Sequence, residues 1–573
     1  MTPEDRKMRL RMLYMGWRLY RAVILFLMDE YRRGTLKENL RSIREAGTLS
    51  LARDMSHAEL LEEKAAKLRD RPFLYFKDEV LSYRDMDMNS NRVANLLWDS
   101  GGGPGMGLAV IMKNSPRWLD VFFGLEKLGM YAVPVNVALR GDQLSFVINN
   151  SDAEFVVIDY DLLPYYQAVE DKLDNIVKVM VNTREAPDDF ELPEGMEDLE
   201  EAYGTGYDPS RPPVKYNPED LCVIMYTSGT TGLPKGVVYR YETSNVKVIS
   251  IMGRLLTDHK DVAYTCYPLF HANALFLTVT PTLHCEGSIA LGERFSASGF
   301  WDDVRRYGAT TFNGLGAVMP ILMKQPESAD DSNNKVRFIL SAGCPADMWE
   351  DFEKRFGLEV YEGYGAVDGG GVVLVNLGTA PVGSMGKPLA SKVKIIDEGG
   401  AEVPTGTPGE LTAYVGERKG SVEYYKNPDA TSDKVKDGWL HTGDLVYADE
   451  KGYIYFVGRN TESMRRGGEN VSAYEVEHAI LQHPDVLECA VYAVPSELAE
   501  DEIMVTLVPK EGREIDPPSV KEYLSDKLAK FAIPRYYRVV DSLPKTETHR
   551  VRKKELEKEG LTDDTYDAAK KEA

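Results

Sequence analysis

The alternation of apolar and polar positions divides the chain into stretches of different period. Residues 89–97 repeat at the helical interval, and a Gly-rich turn at 101–107 leads into the apolar run 108–112, which reads as a strand. Asn114, Ser115 and Pro116 predict a helix start, with Asn114 or Ser115 as cap and Pro116 in the first turn, and the helix continues through 121–128. Short apolar runs at 131–135, 155–159 and 176–181 follow in the same rhythm. Strands alternating with helices imply parallel sheets covered by helices. A Pro-rich linker at 209–218 precedes a buried strand at 221–226, and the rhythm resumes at 338–342 and 358–361. Between about 380 and 455 Gly and Pro become frequent, and the runs 393–396 and 453–457 predict antiparallel strands. Beyond about 460 a small unit combines a helix at 473–481, strands at 489–494 and 503–508, and an amphipathic helix at 519–531. The tail after about Leu556 reads as a solvated end.

These patterns predict an α/β protein in three parts. Residues 1–55 form a helical extension. Residues 56–459 form a large domain of helix-covered parallel sheets plus a small β-barrel-like subdomain. Residues 460–573 form a small α+β C-terminal domain with its tail.

The N-terminal extension is basic and apolar together. Lys7, Arg11, Arg18 and Arg21 share one helical stripe, and Leu10, Leu13, Trp17, Ile24 and Phe26 supply apolar bulk. The uninterrupted apolar run, 22–28, is too short to span a bilayer, and no small-residue cleavage site follows it. Two expectations stand side by side. Residues 1–35 lie in a membrane surface as an amphipathic helix, or they dock on their own domain or on the second subunit of a homodimer.

Composition narrows the partners. A length of 573 residues exceeds one domain, and 43% hydrophobic with 28% charged residues fits a globular chain. The net charge of −23 argues against a nucleic-acid partner, which needs a basic face. Five cysteines without a CxxC pair read as reduced thiols of a cytoplasmic protein, peripheral at the inner face of a membrane if the N-terminal helix binds there. Eight histidines without ligand spacing argue against zinc.

The strongest chemical signal is YTSGTTGLPKG, residues 226–236, directly after an apolar strand. Gly229, Gly232 and Gly236 let the backbone approach a ligand. Thr227, Ser228, Thr230 and Thr231 supply hydroxyls, and Lys235 a cation, so the loop can wrap phosphates. It does not match the GxxxxGK[ST] phosphate loop.

This segment resembles the phosphate loop of the adenylate-forming superfamily of acyl-CoA synthetases, peptide-synthetase adenylation domains and luciferases. Other stretches match in order, from about 55 to 555. RRGGENVSAYEVE, from 465, and YEGYGAVDGG, 361–370, resemble most the branch of fatty-acid transport proteins, very-long-chain acyl-CoA synthetases and carnitine-CoA ligase-like enzymes. The resemblance implies ATP, Mg²⁺ and coenzyme A as cofactor and co-substrates, and a C-terminal domain that turns between an adenylating and a thioester-forming pose.

Residue by residue, the resemblance implies the following. Thr227, Ser228, Gly229, Thr230, Thr231 and Gly232 hold ATP, and Lys235 is a catalytic cation. SAGCP, 341–345, contributes Gly343, Cys344 and Pro345 on the adenine side. Glu362, Gly363, Tyr364 and Gly365 belong to the nucleotide site, with Tyr364 stacked on adenine. Asp368 and Thr227 hold the metal, although Val367 and Asp368 stand where the family carries Thr and Glu. Asp444, ending DGWLHTGD, accepts hydrogen bonds from both ribose hydroxyls, and Arg459 supports the ribose or phosphate side. Thr461 and Glu462 occupy the hinge, where Thr461 departs from the usual Lys or Asp. Arg465, Arg466, Gly467 and Gly468 form the face for CoA. His271 in YPLFHANAL borders the carboxylate and gates the acyl pocket, which Asn313, Gly314, Leu315 and Gly316 line, with Ala317 beside them. In LPKTETHRVRKKEL, 543–556, Arg550 takes the place of the catalytic lysine and His549 that of the preceding glycine. Lys545, Lys553 or Lys554 require a change of register.

The resulting expectation is an ATP-dependent acyl-CoA ligase, acting on a medium- to long-chain fatty acid through an acyl-adenylate. Carnitine-like, bile-acid-like and aryl acids remain open. So do transfer to a carrier protein, luciferase-like oxidation, and a catalytically altered lipid- or nucleotide-binding homologue.

Overall fold

Local capping fixes several helices where the sequence marks them. The Ser115 hydroxyl accepts from the Trp118 N–H at 3.3 Å, and Pro116 opens the helix Pro116–Lys127. Ser56 and Ser82 cap His57–Leu68 and Tyr83–Asp99 with reciprocal hydrogen bonds from Glu59 and Asp85. The computed structural model describes residues 3–33, 56–204, 206–227, 233–241, 253–315, 318–344, 346, 348–365, 367–368, 374–388, 392–397, 399–415, 422–459, 463–466, 469–496, 500–544, 551 and 553–570.

Among these residues two large mixed sheets form the frame. In the first, seven strands run in the order Glu197–Asp198, Lys178–Asn182, Ala153–Asp159, Gly107–Ile111, Tyr131–Pro134, Leu221–Thr227, Lys235–Arg240. In the second, nine strands centre on the parallel set Val262–Thr265, Thr311–Leu315, Phe338–Ala342 and Glu359–Tyr364. Antiparallel members were not foreseen: Lys235–Arg240 pairs with Leu221–Thr227, and Leu374–Asn376 with Glu359–Tyr364. One apolar core joins Leu108, Val110 and Val223 of the first sheet to Leu74, Ile289 and Leu291 of the second. Pro116–Lys127 lies within that core, with every residue but Arg117 buried. A five-stranded antiparallel sheet, including Val393–Ile396, Gly409–Tyr414, Trp439–Ala448 and Ile454–Arg459, forms the half-barrel subdomain.

The C-terminal domain contains the hairpin Ser463–Arg466/Glu469–Ser472, the helix Ala473–Leu481 and a four-stranded sheet. Two expectations change here. The helix expected over 519–531 is Pro517–Ser525, and Leu528, Ala529 and Ala532 continue its buried face through a turn. The tail is not a solvated end. Leu556 is buried, and Tyr566–Asp567 pairs with Tyr536–Val539, fastened by Arg535–Asp567 at 3.0 Å and Arg538–Glu559 at 2.6 Å.

The N-terminal helix Pro3–Arg33 docks on the large domain. Three arginines of its basic stripe face inward: Arg11 pairs with Glu359 at 2.9 Å, Arg21 approaches Asp258 at 3.9 Å, and Arg18 is buried. Leu13, Trp17, Tyr20 and Tyr31 point outward instead. Among the described residues no helix is long and apolar enough to cross a membrane.

Candidate active site

Ligands of α/β sheets collect at the carboxyl ends of parallel strands, and Leu315, Ala342 and Tyr364 end three neighbouring strands of the second sheet. Tyr364 donates its hydroxyl to Asp444 Oδ2 at 2.5 Å, joining the two residues expected at adenine and ribose. Asp444 is buried at the bend after Gly443, whose φ of +79° suits glycine. Its strand partner is Arg459. Glu362, one strand position from Gly363, turns into the adenine-side loop. Its carboxylate accepts from the Gly343 and Cys344 N–H groups, and burial pushes its pKa up to about 7. This carboxylate therefore holds the loop's backbone.

On the phosphate side, hairpin pairing sets Thr227 opposite Lys235. The Lys235 ammonium lies 5.5 Å from the Tyr424 ring centroid. The Tyr424 hydroxyl donates to Asp368, and Lys434 approaches the same carboxylate at 3.0 Å. Burial works to raise the Asp368 pKa, but the Lys434 charge and the Tyr424 hydrogen bond outweigh it and hold it below the usual carboxylate range. Tyr239 donates to the Val367 carbonyl at 2.7 Å, which ties this turn to the hairpin. Asp368 and Thr227 thus offer one ionised carboxylate and one hydroxyl, a donor set that suits a magnesium ion sharing its shell with phosphates.

On the acid side, His271 stands directly before the short helix Ala272–Ala274. Its Nε2 lies 2.5 Å from Glu469 Oε1, in the C-terminal hairpin, and Asn136 donates to the same oxygen at 3.4 Å. Asn313 donates to Thr278 Oγ1 at 3.1 Å and Asn273 Oδ1 at 3.2 Å, while the Leu315 N–H donates to the Tyr267 hydroxyl at 2.7 Å. A Cβ on Gly314 would meet Met319 at 3.5 Å, so that position faces the core behind the sheet and adds no room beside Asn313. The C-terminal hairpin is divided. The Arg465 charge is felt by Tyr267, whereas Arg466 is turned into its own domain by Glu502 at 2.9 Å and the Ile533 carbonyl.

Ser228, Gly229, Thr230, Thr231, Gly232, Gly316, Ala317, Pro345, Thr461, Glu462, Gly467, Gly468, Lys545, His549 and Arg550 lie outside the described residues. Lys553 is paired with Glu477 at 2.9 Å. Sequence reading missed Tyr424, Lys434, Asn273 and Glu469. Only Glu469 carried a signal, its place directly after the paired glycines of RRGGE.

Comparison with known proteins gives this geometry its family. Residues 61–415 match the AMP-binding enzyme family and residues 475–550 the AMP-binding enzyme C-terminal domain. The medium/long-chain-fatty-acid–CoA ligase FadD17 of Mycobacterium marinum is 33% identical over 87% of this chain and 95% of its own length. The crotonobetaine/carnitine–CoA ligase of Proteus mirabilis is 29% identical over 87% of this chain and 97% of its own. The o-succinylbenzoate CoA synthetase of Bacillus subtilis superposes with a TM-score of 0.73 at 23% identity, over 87% of this chain and 98% of that one. The chain belongs to the AMP-binding, adenylate-forming acyl-CoA ligases. It is an AMP-forming acid–thiol ligase that uses ATP and CoA.

Proposed function

We propose that this ligase activates a medium- to long-chain fatty acid. The observation that carries the reading is the apolar register beside Asn313: its strand partner is Leu340, whose partner Tyr361 packs with Phe338 in an apolar cluster. The 33% identity to a medium/long-chain-fatty-acid–CoA ligase supports the same class, while the carnitine enzyme keeps a betaine acid as the second reading.

In the proposed reaction the acid's carboxylate attacks the α-phosphorus of ATP, forming acyl-adenylate and releasing pyrophosphate, and the CoA thiol then displaces AMP. Tyr364 stacks on adenine, Asp444 holds the ribose, and Thr227, Lys235 and the loop 228–232 hold phosphates. Asp368 and Thr227 would hold Mg²⁺, which when bound neutralises phosphate charge. Arg550 would offset the charge of carboxylate and phosphate during adenylation. The contact between His271 and Glu469 brings the C-terminal hairpin to the acid side, an arrangement that supports thioester formation. The outward aromatic face of the N-terminal helix supports a cytoplasmic enzyme peripheral at the inner membrane face, with a second copy of the chain as the competing occupant.

A panel of acids assayed for CoA-dependent AMP release tests the reading, with straight-chain acids expected to lead. Absence of acid-dependent pyrophosphate release across the panel, or preference for betaines, overturns it. In the same assay Arg550→Ala is expected to lower adenylation by about 10²–10³-fold and to leave thioester formation from a supplied acyl-adenylate intact. Equal loss in both steps refutes the role of Arg550. Full-length protein is expected to float with zwitterionic liposomes; failure to float removes the membrane assignment.

A further inference from the structure

The carboxylate assigned to the metal already carries a cation. Lys434 Nζ lies 3.0 Å from Asp368 Oδ2, and the Tyr424 hydroxyl donates to the same oxygen. The pair is partly buried yet still reaches solvent, with Lys434 17% and Asp368 24% exposed. Local structure holds it in place. Residues 422–426 run along the hairpin strand Lys235–Arg240: the Val238 N–H donates to the Glu423 carbonyl at 2.9 Å, and the Tyr425 N–H to the Gly236 carbonyl at 2.7 Å. Arg240 grips both oxygens of Glu423 at 2.7 Å, and the Tyr425 hydroxyl donates to Asp152 at 2.8 Å. Tyr424 is thereby fixed between the two lysines, its ring 5.5 Å from the Lys235 ammonium and its hydroxyl on Asp368. The helix Pro428–Lys434 follows, capped by Asn427, whose side chain accepts from the Ala430 N–H at 3.0 Å. Lys434 is its last residue. Its ammonium also approaches the Thr442 carbonyl at 3.5 Å, two residues before Asp444.

A divalent ion at Asp368 meets two opposing terms. The carboxylate attracts it, while the ammonium repels it and engages the same oxygen. In a partly buried site these charges are screened less than at a surface. The ion therefore gains the Oδ2 of Asp368 only as Lys434 gives it up. A free ion brings nothing to compensate the displaced ammonium. An ion arriving on a nucleotide brings phosphate oxygens, which accept charge-assisted hydrogen bonds from a lysine.

We propose that Lys434 is a positioning residue for the metal, holding Asp368 in the ATP-free enzyme and yielding it when the ion arrives with ATP. Metal entry is thereby coupled to nucleotide entry. This rests on the assignment of Asp368 to the metal and is independent of the acid. The test is Mn²⁺ binding to the full chain, read as free ion by electron paramagnetic resonance. Without ATP, Lys434→Met is expected to bind Mn²⁺ about tenfold tighter than wild type, or more. Lys434→Arg keeps the charge and is expected to bind as weakly as wild type. Lys434→Met combined with Asp368→Asn is expected to lose the gain. A merely structural role predicts the opposite sign, since a disturbed site binds the ion less well. Unchanged or weaker ATP-free binding in Lys434→Met overturns the proposal, as does a gain that survives Asp368→Asn. If Lys434→Met does not fold, Lys434→Gln decides by the same criterion, because it keeps a donor to Asp368 and removes the charge. Asp368→Asn binding Mn²⁺–ATP as wild type does would instead bring down the metal assignment of Asp368, and this proposal with it.

Discussion

Deep in the large domain, Glu126 gathers His57 Nδ1 at 2.8 Å, the Ala58 N–H at 2.9 Å and the Cys222 thiol at 3.1 Å. All three side chains are fully buried. In the nucleotide site, Asp444 meets Tyr364 at the end of its strand, and Asp368 in the turn beyond meets Lys434 and Tyr424. Both regions are built from carboxylates and their partners. His57, Glu126 and Cys222 even bring their ligand atoms within 4.8 Å of one another, close enough for a metal ion. Yet Glu126 already engages both of the others, and the cluster joins the start of His57–Leu68 to Pro116–Lys127 and Leu221–Thr227. The lesson is that proximity of ligand-type residues does not make a site. A carboxylate satisfied by its neighbours deep in the core holds elements together, whereas one beside the nucleotide residues can exchange its partners for a ligand.

The largest expected effect breaks the sealed side. Glu126→Ala would leave His57 and the Ala58 N–H without their acceptor, at a cost of about 3–5 kcal/mol in folding stability. Urea denaturation measures it; a loss under about 1 kcal/mol would mean the cluster is not structural. Asp444→Ala is the counterpart in the nucleotide site. ATP affinity is expected to fall by about 1.5–3 kcal/mol for each charge-assisted hydrogen bond lost. Calorimetric titration showing wild-type affinity would remove Asp444 from the ribose.

The smallest effect sharpens the contrast through pH. Burial works to raise the Glu126 pKa, but His57 and the other donors outweigh it, so its stability is present above its ordinary value of 4.5 and is lost as pH falls. Glu362 has the opposite sign. Burial pushes it to about 7 from 4.5, so its contribution is present below 4.5 and lost as pH rises to about 7. Glu362→Gln is therefore expected to remove up to one proton's worth of slope, about 1.4 kcal/mol per pH unit, across that window. Asp120 and Asp159, each pushed to about 6 by burial, retain their own share. Stability curves of variant and wild type that stay parallel from pH 4.5 to 7 would contradict the burial of an uncharged Glu362.

What the sequence determined is what short-range physics writes into it. The strands Phe338–Ala342 and Val393–Ile396 and the helix Ala473–Leu481 have the bounds expected, because apolar period and flanking turns set them locally. The motifs assign Tyr364, Asp444 and Lys235 to one site as an expectation, and the AMP-binding family confirms the class of chemistry. Tertiary structure decided the partners. Lys434 and Tyr424 carry no motif and reach Asp368 only because the half-barrel folds against the hairpin. Glu469 meets His271 only through the placement of the C-terminal domain. The N-terminal helix was legible as amphipathic, but its period names two faces without saying which turns inward. Burial against Phe338 and Tyr361, with Glu359 waiting for Arg11, chose the basic stripe, a choice made by residues more than three hundred positions away.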